Sequence, residues 1–430
     1  MTSYLWLMKK LIILVLLGFA PNLFGQEVFN PPVLLKAADQ IIDHSSHTAM
    51  SIYDFNNDGL KDLIVGEFGD VPLEGMKDDP VYGRYVQGRC HIYLNLGSNE
   101  NPKYGEDHLL LAGGEPAFVP ITCCIGFTPR FIDLDGDKID DIISGSYPGE
   151  IYFFKGEGRG VYSKSEILMD SDGDTLNAAH SSVAEPFDYD NDGDIDLLIS
   201  SRMNGTFLSI NEGSGSNPKF SKGKLIPLPK YDYVYTPLKE PRKSNVSHVH
   251  PIDWDGDGLF DLVCGTEEGH LVWYKNSGTK KKAEFLKAET LFTSQSGWDN
   301  LEGGPVIPLG GRCKVFANDY NLDGKLDLLV GDFYSSTKVT RELRPEEEMD
   351  WDKAKKKNRD LLLKLKEMYP DVKQFRNVAF FNKFEGLSKK EIRKIKKINA
   401  EIEEANKVTA KFQKLQEHFG HGYVWLFTQK

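Results

Sequence analysis

Five short apolar runs, "LIVG", "IISG", "LLIS", "LVCG" and "LLVG", recur along the chain, each directly after a cluster of alternating acidic and small residues. Runs this short, rich in Val, Ile and Leu and mostly closed by Gly, read as strands buried on both faces. Around them one order returns. A strand leads in ("GFTPRFI", "SVAEPF", "VSHVHPI", "RCKVFAN"), and the polar cluster and apolar strand follow. A third strand comes after a turn ("GEIYFFKG", "GTFLSINEG", "GHLVWYKNSG"), and a fourth ends the unit ("NPKYGEDHLLL", "YSKSEILM", "NPKFSKGKLIPL", "AEFLKAETLF"). Repeated units of four short strands predict an all-β chain folded as a β-propeller of four-stranded blades.

The polar clusters are themselves a repeat: "DFNNDGLKD" from Asp54, "DLDGDKIDD" from Asp133, "DYDNDGDID" from Asp188, "DWDGDGLFD" from Asp253 and "DYNLDGKLD" from Asp319. Each puts Asp or Asn at positions 1, 3, 5 and 9. Hard oxygen donors at every second residue, with a backbone carbonyl at position 7, suit Ca²⁺. The candidate ligand sets are Asp54, Asn56, Asp58, Leu60 and Asp62; Asp133, Asp135, Asp137, Ile139 and Asp141; Asp188, Asp190, Asp192, Asp194 and Asp196; Asp253, Asp255, Asp257, Leu259 and Asp261; and Asp319, Asn321, Asp323, Lys325 and Asp327. Transition metals would want His or Cys, which the loops lack. An EF-hand would need Glu at position 12 and a helix after it. Position 12 is instead Val65, Ser144, Ile199, Cys264 and Val330, inside the apolar strand.

Charge fits this reading. The whole chain carries a net −12. Residues 341–420 hold 21 Lys and Arg against 15 Asp and Glu, so the acidity is concentrated in residues 26–340. A domain that acidic repels itself or binds cations, and up to five structural Ca²⁺ would offset most of the charge.

The loop followed by an apolar strand and a glycine resembles the FG-GAP or VCBS repeat, the unit of the integrin α-subunit propeller and of many bacterial secreted proteins. The resemblance covers about residues 28–340 and 420–430, and implies Ca²⁺ at the five loops. Asn56 and Asn321 depart from its all-Asp pattern, and fewer charges imply weaker sites there.

Familiar propellers of this family have seven blades, whereas five loops predict five. The last unit lacks a fourth strand. The segment "EVFNPPVLLKAADQII" matches the fourth-strand pattern, so the N-terminal strand is expected to complete the last blade and remove an open sheet edge. The organisation expected is a propeller over 26–340, an insertion over 341–420 and a final strand over 421–430. Pro345 with Glu346–Glu348 starts a helix running to about Tyr369. Ser388 with Glu391 forms a capping box for a second, apolar at Ile392, Ile395, Ile398 and Ile402 and ended by Gly420. A smaller insertion, Phe68 to Arg89, sits at the same point of the first unit.

In a four-stranded meander the connections alternate ends, so the metal loops share one face and the insertions and inter-blade loops lie on the other. Loops there carry function more often than the scaffold does. They offer His180, Tyr233, Tyr235, His248, Trp298 and Arg312 as a binding set, aromatic faces beside Arg and His, as a sugar or peptide site uses. The plainer reading is that these residues pack loops and line the channel. Three functions follow: a glycan- or protein-binding adhesion module, a polysaccharide lyase, or a purely structural surface protein. The lyase requires His180, His248 and Arg312 to converge on one ligand.

The first 25 residues place Lys9 and Lys10 before the apolar run Leu11–Ala20, the pattern of a signal peptide, so the mature chain is expected to be secreted or periplasmic without a stable membrane span. Export and acidity disfavour nucleic acid. Five scattered cysteines make no disulfide framework. Adjacent Cys123 and Cys124 allow a vicinal disulfide, separate bridges or two thiols.

Overall fold

The computed structural model describes residues 28–430 apart from 74–84, 123–124, 178–179, 203, 236–239, 245, 295–298, 302–307 and 369–387. The expected leader, the Cys123–Cys124 pair and Trp298 lie outside the described residues. Two compact units emerge. One takes the strands through Asn300 with Gly304–Ser335 and Gly420–Lys430; the other takes Leu301–Gly303 and Ser336–Phe419.

The first unit is all β. Four sheets are meanders of consecutive antiparallel strands, arranged as blades of a β-propeller-like ring. They are built on Ala49–Tyr53, Asp62–Gly66, Val86–Asn95 and Tyr104–Leu109; on Arg130–Ile132, Asp141–Ser144, Tyr152–Phe154 and Glu166–Ile167; on Ser182–Phe187, Asp196–Ser201, Gly205–Ser209 and Lys224–Ile226; and on Val246–Ile252, Asp261–Thr266, Leu271–Tyr274 and Glu289–Phe292. A further sheet joins the chain ends: Gly311–Asn318, Asp327–Val339, Gln416–Phe427 and the N-terminal Val33–Leu34. Val33 pairs with Leu426 and Leu34 with Trp425, the expected partnership of first and last strands.

The second strand of each meander is buried along its whole length, which is why its sequence is continuously apolar rather than alternating. Both of its faces meet neighbouring sheets. Ile64 packs with Ile142 and Phe154, Ile143 with Leu197 and Ile199, and Leu198 with Leu262 and Val272. The glycine that closes the strand has a steric cause. A Cβ on Gly66, Gly145, Gly265 or Gly331 would strike the backbone carbonyl of Phe127, Ser182, Cys313 or Thr48, each at or just before the first strand of another sheet.

The second unit holds two helices, α1 (Pro345–Met368) and α2 (Lys389–Gln413). Ser388 and Glu391 form the capping box as expected. Leu365, Ile395, Ile398 and Ile402 make their shared core. α2 stops at Gln413 rather than at Gly420, because Gln416–Phe427 is drawn into pairing with the long strand Asp327–Val339. The insertion expected over Phe68–Arg89 is likewise shorter: Val86–Arg89 extends the third strand by pairing with Phe118–Ile121.

Candidate metal loops and the opposite strand ends

The acidic loops share one backbone design. Positions 4 and 6 have positive φ, filled by Asn57 and Gly59, Gly136 and Lys138, Asn191 and Gly193, Gly256 and Gly258, and Leu322 and Gly324. Asn and Gly tolerate this region best, which accounts for the loop composition. In four of the loops the position-1 carboxylate accepts the backbone N–H groups of positions 5 and 6, as with Asp58 and Gly59 to Asp54 at 3.1 and 2.9 Å and Asp257 and Gly258 to Asp253 at 3.0 and 2.9 Å; in the second loop Asp133 accepts from Gly136 and Lys138 instead.

Position 9 has a second task. Asp62, Asp141, Asp196 and Asp261 are buried, and each accepts one N–H from loop position 2 and one from just beyond the third strand or at its end. For Asp196 these are Tyr189 at 2.9 Å and Asn211 at 2.7 Å. Burial pushes Asp141 and Asp196 up to about 6, against these hydrogen bonds.

The loops differ in what offsets their charge. In the first and fifth, Asn56 and Asn321 donate side-chain N–H to Asp58 and Asp323 at 2.9 and 3.3 Å. In the second and fourth, the ammonium groups of Lys155 and Lys275 bridge Asp135 with Asp137 and Asp255 with Asp257. Among the described residues the third loop has neither. Its Asp190 Oδ1 and Asp194 Oδ1 are buried without a hydrogen-bond partner. Burial raises the Asp194 carboxyl, and the charges of Asp192, Asp190 and Asp188 raise it further. Asp188, Asp190 and Asp192 each bring an oxygen into one compact group, as do Asp133, Asp135 and Asp141, and Asp253, Asp255 and Asp261. Orphaned acceptors, all-oxygen donors and lysines standing as cations fit a hard divalent ion such as Ca²⁺. Positions 1, 3, 5 and 9 with the position-7 carbonyl would hold it, and it would supply charge neutralisation and cross-linking.

At the opposite ends of the third and fourth sheets, guanidinium groups gather on a carboxylate. Arg202, just after the second strand of the third sheet, pairs with Glu267, just after that of the fourth, its Nη2 reaching Oε1 at 2.6 Å. Arg312 Nε reaches the same oxygen at 3.1 Å, and its Nη1 meets His47 Nε2 at 2.8 Å. The His47 ring stacks on Phe333 at 4.4 Å, and Lys314 is buried behind Arg312. Burial, together with Arg312 and Arg202, pushes Lys314 down to about 7. Burial also holds His47 well below its ordinary range, helped by Lys314, Arg312 and Arg202.

Deeper in, Arg130, Glu185, His248 and His250 form a buried network on first strands. Arg130 Nη2 lies 2.6 Å from Glu185 Oε1, and His248 Nε2 and His250 Nδ1 lie 2.7 and 3.0 Å from Glu185. His248 Nδ1 accepts the Val315 N–H at 2.9 Å, so both of its ring nitrogens are engaged inside the protein.

Of the expected binding set, three side chains are described, and they lie in different surroundings. His248 is wholly buried with Glu185, Arg312 sits with Glu267 and His47, and His180 is exposed beside Tyr147 at 5.7 Å. Tyr233 and Tyr235 lie on a hairpin opposite Arg242 and Glu240, with their side chains outside the described residues. The structure gives His180, His248 and Arg312 different partners, where the lyase would need them on one ligand. Arg202, Glu267, Lys314 and His47 lie outside the expected binding set. The available signal was charge at strand ends where other repeats carry an aromatic residue or Gly, such as Tyr147 and Gly126.

A family model described as an FG-GAP-like repeat matches residues 133–199 and 253–330. Among curated proteins none matches. Among solved structures, the Photorhabdus luminescens Tc holotoxin pore is similar at 15% identity and TM-score 0.33, over 72% of this chain and 14% of that one. BBS1N in complex with ARL6DN is similar at 12% identity and TM-score 0.24 in a lead-soaked crystal, over 47% of this chain and 50% of that one. In a mercury-soaked crystal the values are 11% and 0.27, over 70% and 93%. This chain thus spans a small part of the toxin chain's length.

Proposed function

The chain is an FG-GAP repeat β-propeller protein, and from that premise we propose an exported, Ca²⁺-stiffened binding module that holds an anionic ligand at the strand ends opposite its acidic loops. The ring in this reading has five blades, the sheet of the two chain ends being the fifth. Two cores support that count. Val263 and Leu271 pack with Val315, Leu328 and Trp425, while Leu63, Val65 and Met50 pack with Leu329, Val424 and Leu426. The second carries packing from the last sheet back to the first. Export rests on the Lys-flanked apolar run at the start, and among the described residues no helix is long and apolar enough to cross a membrane.

The carrying observation is the gathering of cationic side chains on Glu267. Arg202 and Arg312 both pair with its carboxylate, and Lys314 is buried nearby with its ammonium form suppressed. A carboxylate or sulfate there would relieve the crowding and take directional N–H donors from guanidinium groups. An acidic glycan presents such groups repeatedly, on rings that stack against aromatic side chains.

The test is an array of neutral and anionic polysaccharides probed with Ca²⁺-loaded protein, also assayed for unsaturated products. Salt-sensitive retention of acidic polymers, lost in Arg202→Ala/Arg312→Ala, is expected. Retention that survives both substitutions, or none at all, sinks the reading.

A further inference from the structure

Besides the acidic loops, among the described residues one compact group of metal-competent side chains belongs to a different chemistry: His44, Glu67 and His91. They come from three segments of the first unit. Glu67 directly follows the strand Asp62–Gly66, at the end away from the Asp54 loop. His91 lies on the next strand opposite Val65, and His44 on a short strand paired with the C-terminal one through Gly422. Glu67 Oε2 lies 3.2 Å from His44 Nδ1, and its Oε1 lies 3.2 Å from His91 Nε2. We propose that these three side chains bind a divalent transition-metal ion of the zinc class.

Four observations carry it. The outward nitrogens are already tethered: His44 Nε2 meets Tyr93 Oη at 3.1 Å, and His91 Nδ1 meets Asp107 Oδ1 and Oδ2 at 2.8 and 2.9 Å. A carboxylate on the far nitrogen fixes the tautomer and aims the other lone pair inward, the outer shell that metal-binding histidines have. Second, His91 is nine-tenths buried, yet its Nε2 makes no hydrogen bond despite its closeness to Glu67. Third, ligands about 2.0–2.1 Å from a tetrahedral ion lie about 3.3 Å from each other, close to the spacing of Glu67 with either histidine.

The fourth comes from the repeats, which act as internal controls. Opposite the residue equivalent to Val65, the second, third and fourth sheets carry Tyr152, Phe207 and Val272 where the first has His91. At the position of Glu67 they carry Ser146, Ser201 and Thr266. The blade scaffold requires neither His nor Glu at these places. Two imidazoles with one carboxylate select zinc-like ions over Ca²⁺ and Mg²⁺, which take oxygen. Three protein ligands leave a further coordination position for water or a ligand's anionic group.

The experiment titrates Ca²⁺-saturated full-length protein with Co²⁺, then Zn²⁺. One equivalent of Co²⁺ should bind with visible d–d absorption, be displaced by Zn²⁺ and resist excess Ca²⁺. His91→Gln should abolish it, and Asp107→Asn, which removes no ligand, should weaken it about 10- to 100-fold. Should His91→Gln not fold, Asp107→Asn and Tyr93→Phe decide alone. Absence of Co²⁺ binding, or binding equal in wild type and every folded variant, overturns the proposal.

Discussion

The indole N–H of Trp425 donates to Asp332 Oδ2 at 2.9 Å, both side chains buried, across the 93 residues that contain the helical insertion. Asp332 also accepts the backbone N–H of Gly310 at 2.7 Å and of Tyr423 at 3.1 Å. One carboxylate therefore ties the strand before the insertion to the strand after it. Trp425→Phe keeps most of the apolar volume and removes one donor. Loss of about 1–3 kcal/mol is expected. Chemical denaturation reads it, and an unmoved midpoint would show the tie to be dispensable.

The strand-closing glycines make a sharper contrast. Gly265→Ala would drive a methyl into the Cys313 carbonyl, so a cost of about 1–3 kcal/mol or more is expected from overpacking. The third repeat carries Ser200 at this position, and its buried Oγ has no hydrogen-bond partner. Ser200→Ala should be neutral or stabilising, because it removes an unsatisfied hydroxyl. Equal losses in the two variants would contradict the steric account.

Chelation should lower the melting temperature, since an ion bound only by the native state contributes about 2.7 kcal/mol per site at a hundredfold excess over Kd. The five sites should not respond alike. Lys155 and Lys275 occupy the carboxylates of the second and fourth loops, so Lys155→Met and Lys275→Met should raise Ca²⁺ affinity there. Calorimetric titration reads this, and unchanged isotherms would mean the lysines leave at no cost. Asp190→Ala in the uncompensated third loop should remove the tightest site.

Two buried histidines predict acid sensitivity. His248 Nδ1 accepts the Val315 N–H and His270 Nδ1 accepts the Ser294 N–H, so each is a neutral imidazole whose protonation breaks a backbone hydrogen bond. Burial pushes both down to about 4, with Glu185 partly opposing this at His248. Between the unfolded value of 6.5 and about 4 the unfolded chain binds more protons, so stability falls as pH falls through that window. Each contributes on the order of 3 kcal/mol of loss by pH 4. Equilibrium unfolding from pH 7 to 4 in His270→Gln should show a shallower decline than wild type; parallel curves would assign the titration elsewhere.

Much of this protein is written locally. The period of the acidic clusters, the apolar runs behind them and the capping box at Ser388 identify strands, loops and helices, because each rests on neighbours in sequence: turn conformation, carboxylate spacing and an N-terminal cap. Even the pairing of Val33 with Leu426 was legible, because an unpaired last unit and a spare first strand imply each other. What no local pattern contains is which side chains meet across sheets. Arg202 and Arg312 share Glu267, Lys155 and Lys275 bridge loop carboxylates, and His44 reaches Glu67 and His91. These groups come from strand ends tens to hundreds of residues apart, and their distances depend on how the sheets pack. The repeat therefore determined the scaffold and its acidic loops, while tertiary packing alone decided which isolated charges became sites.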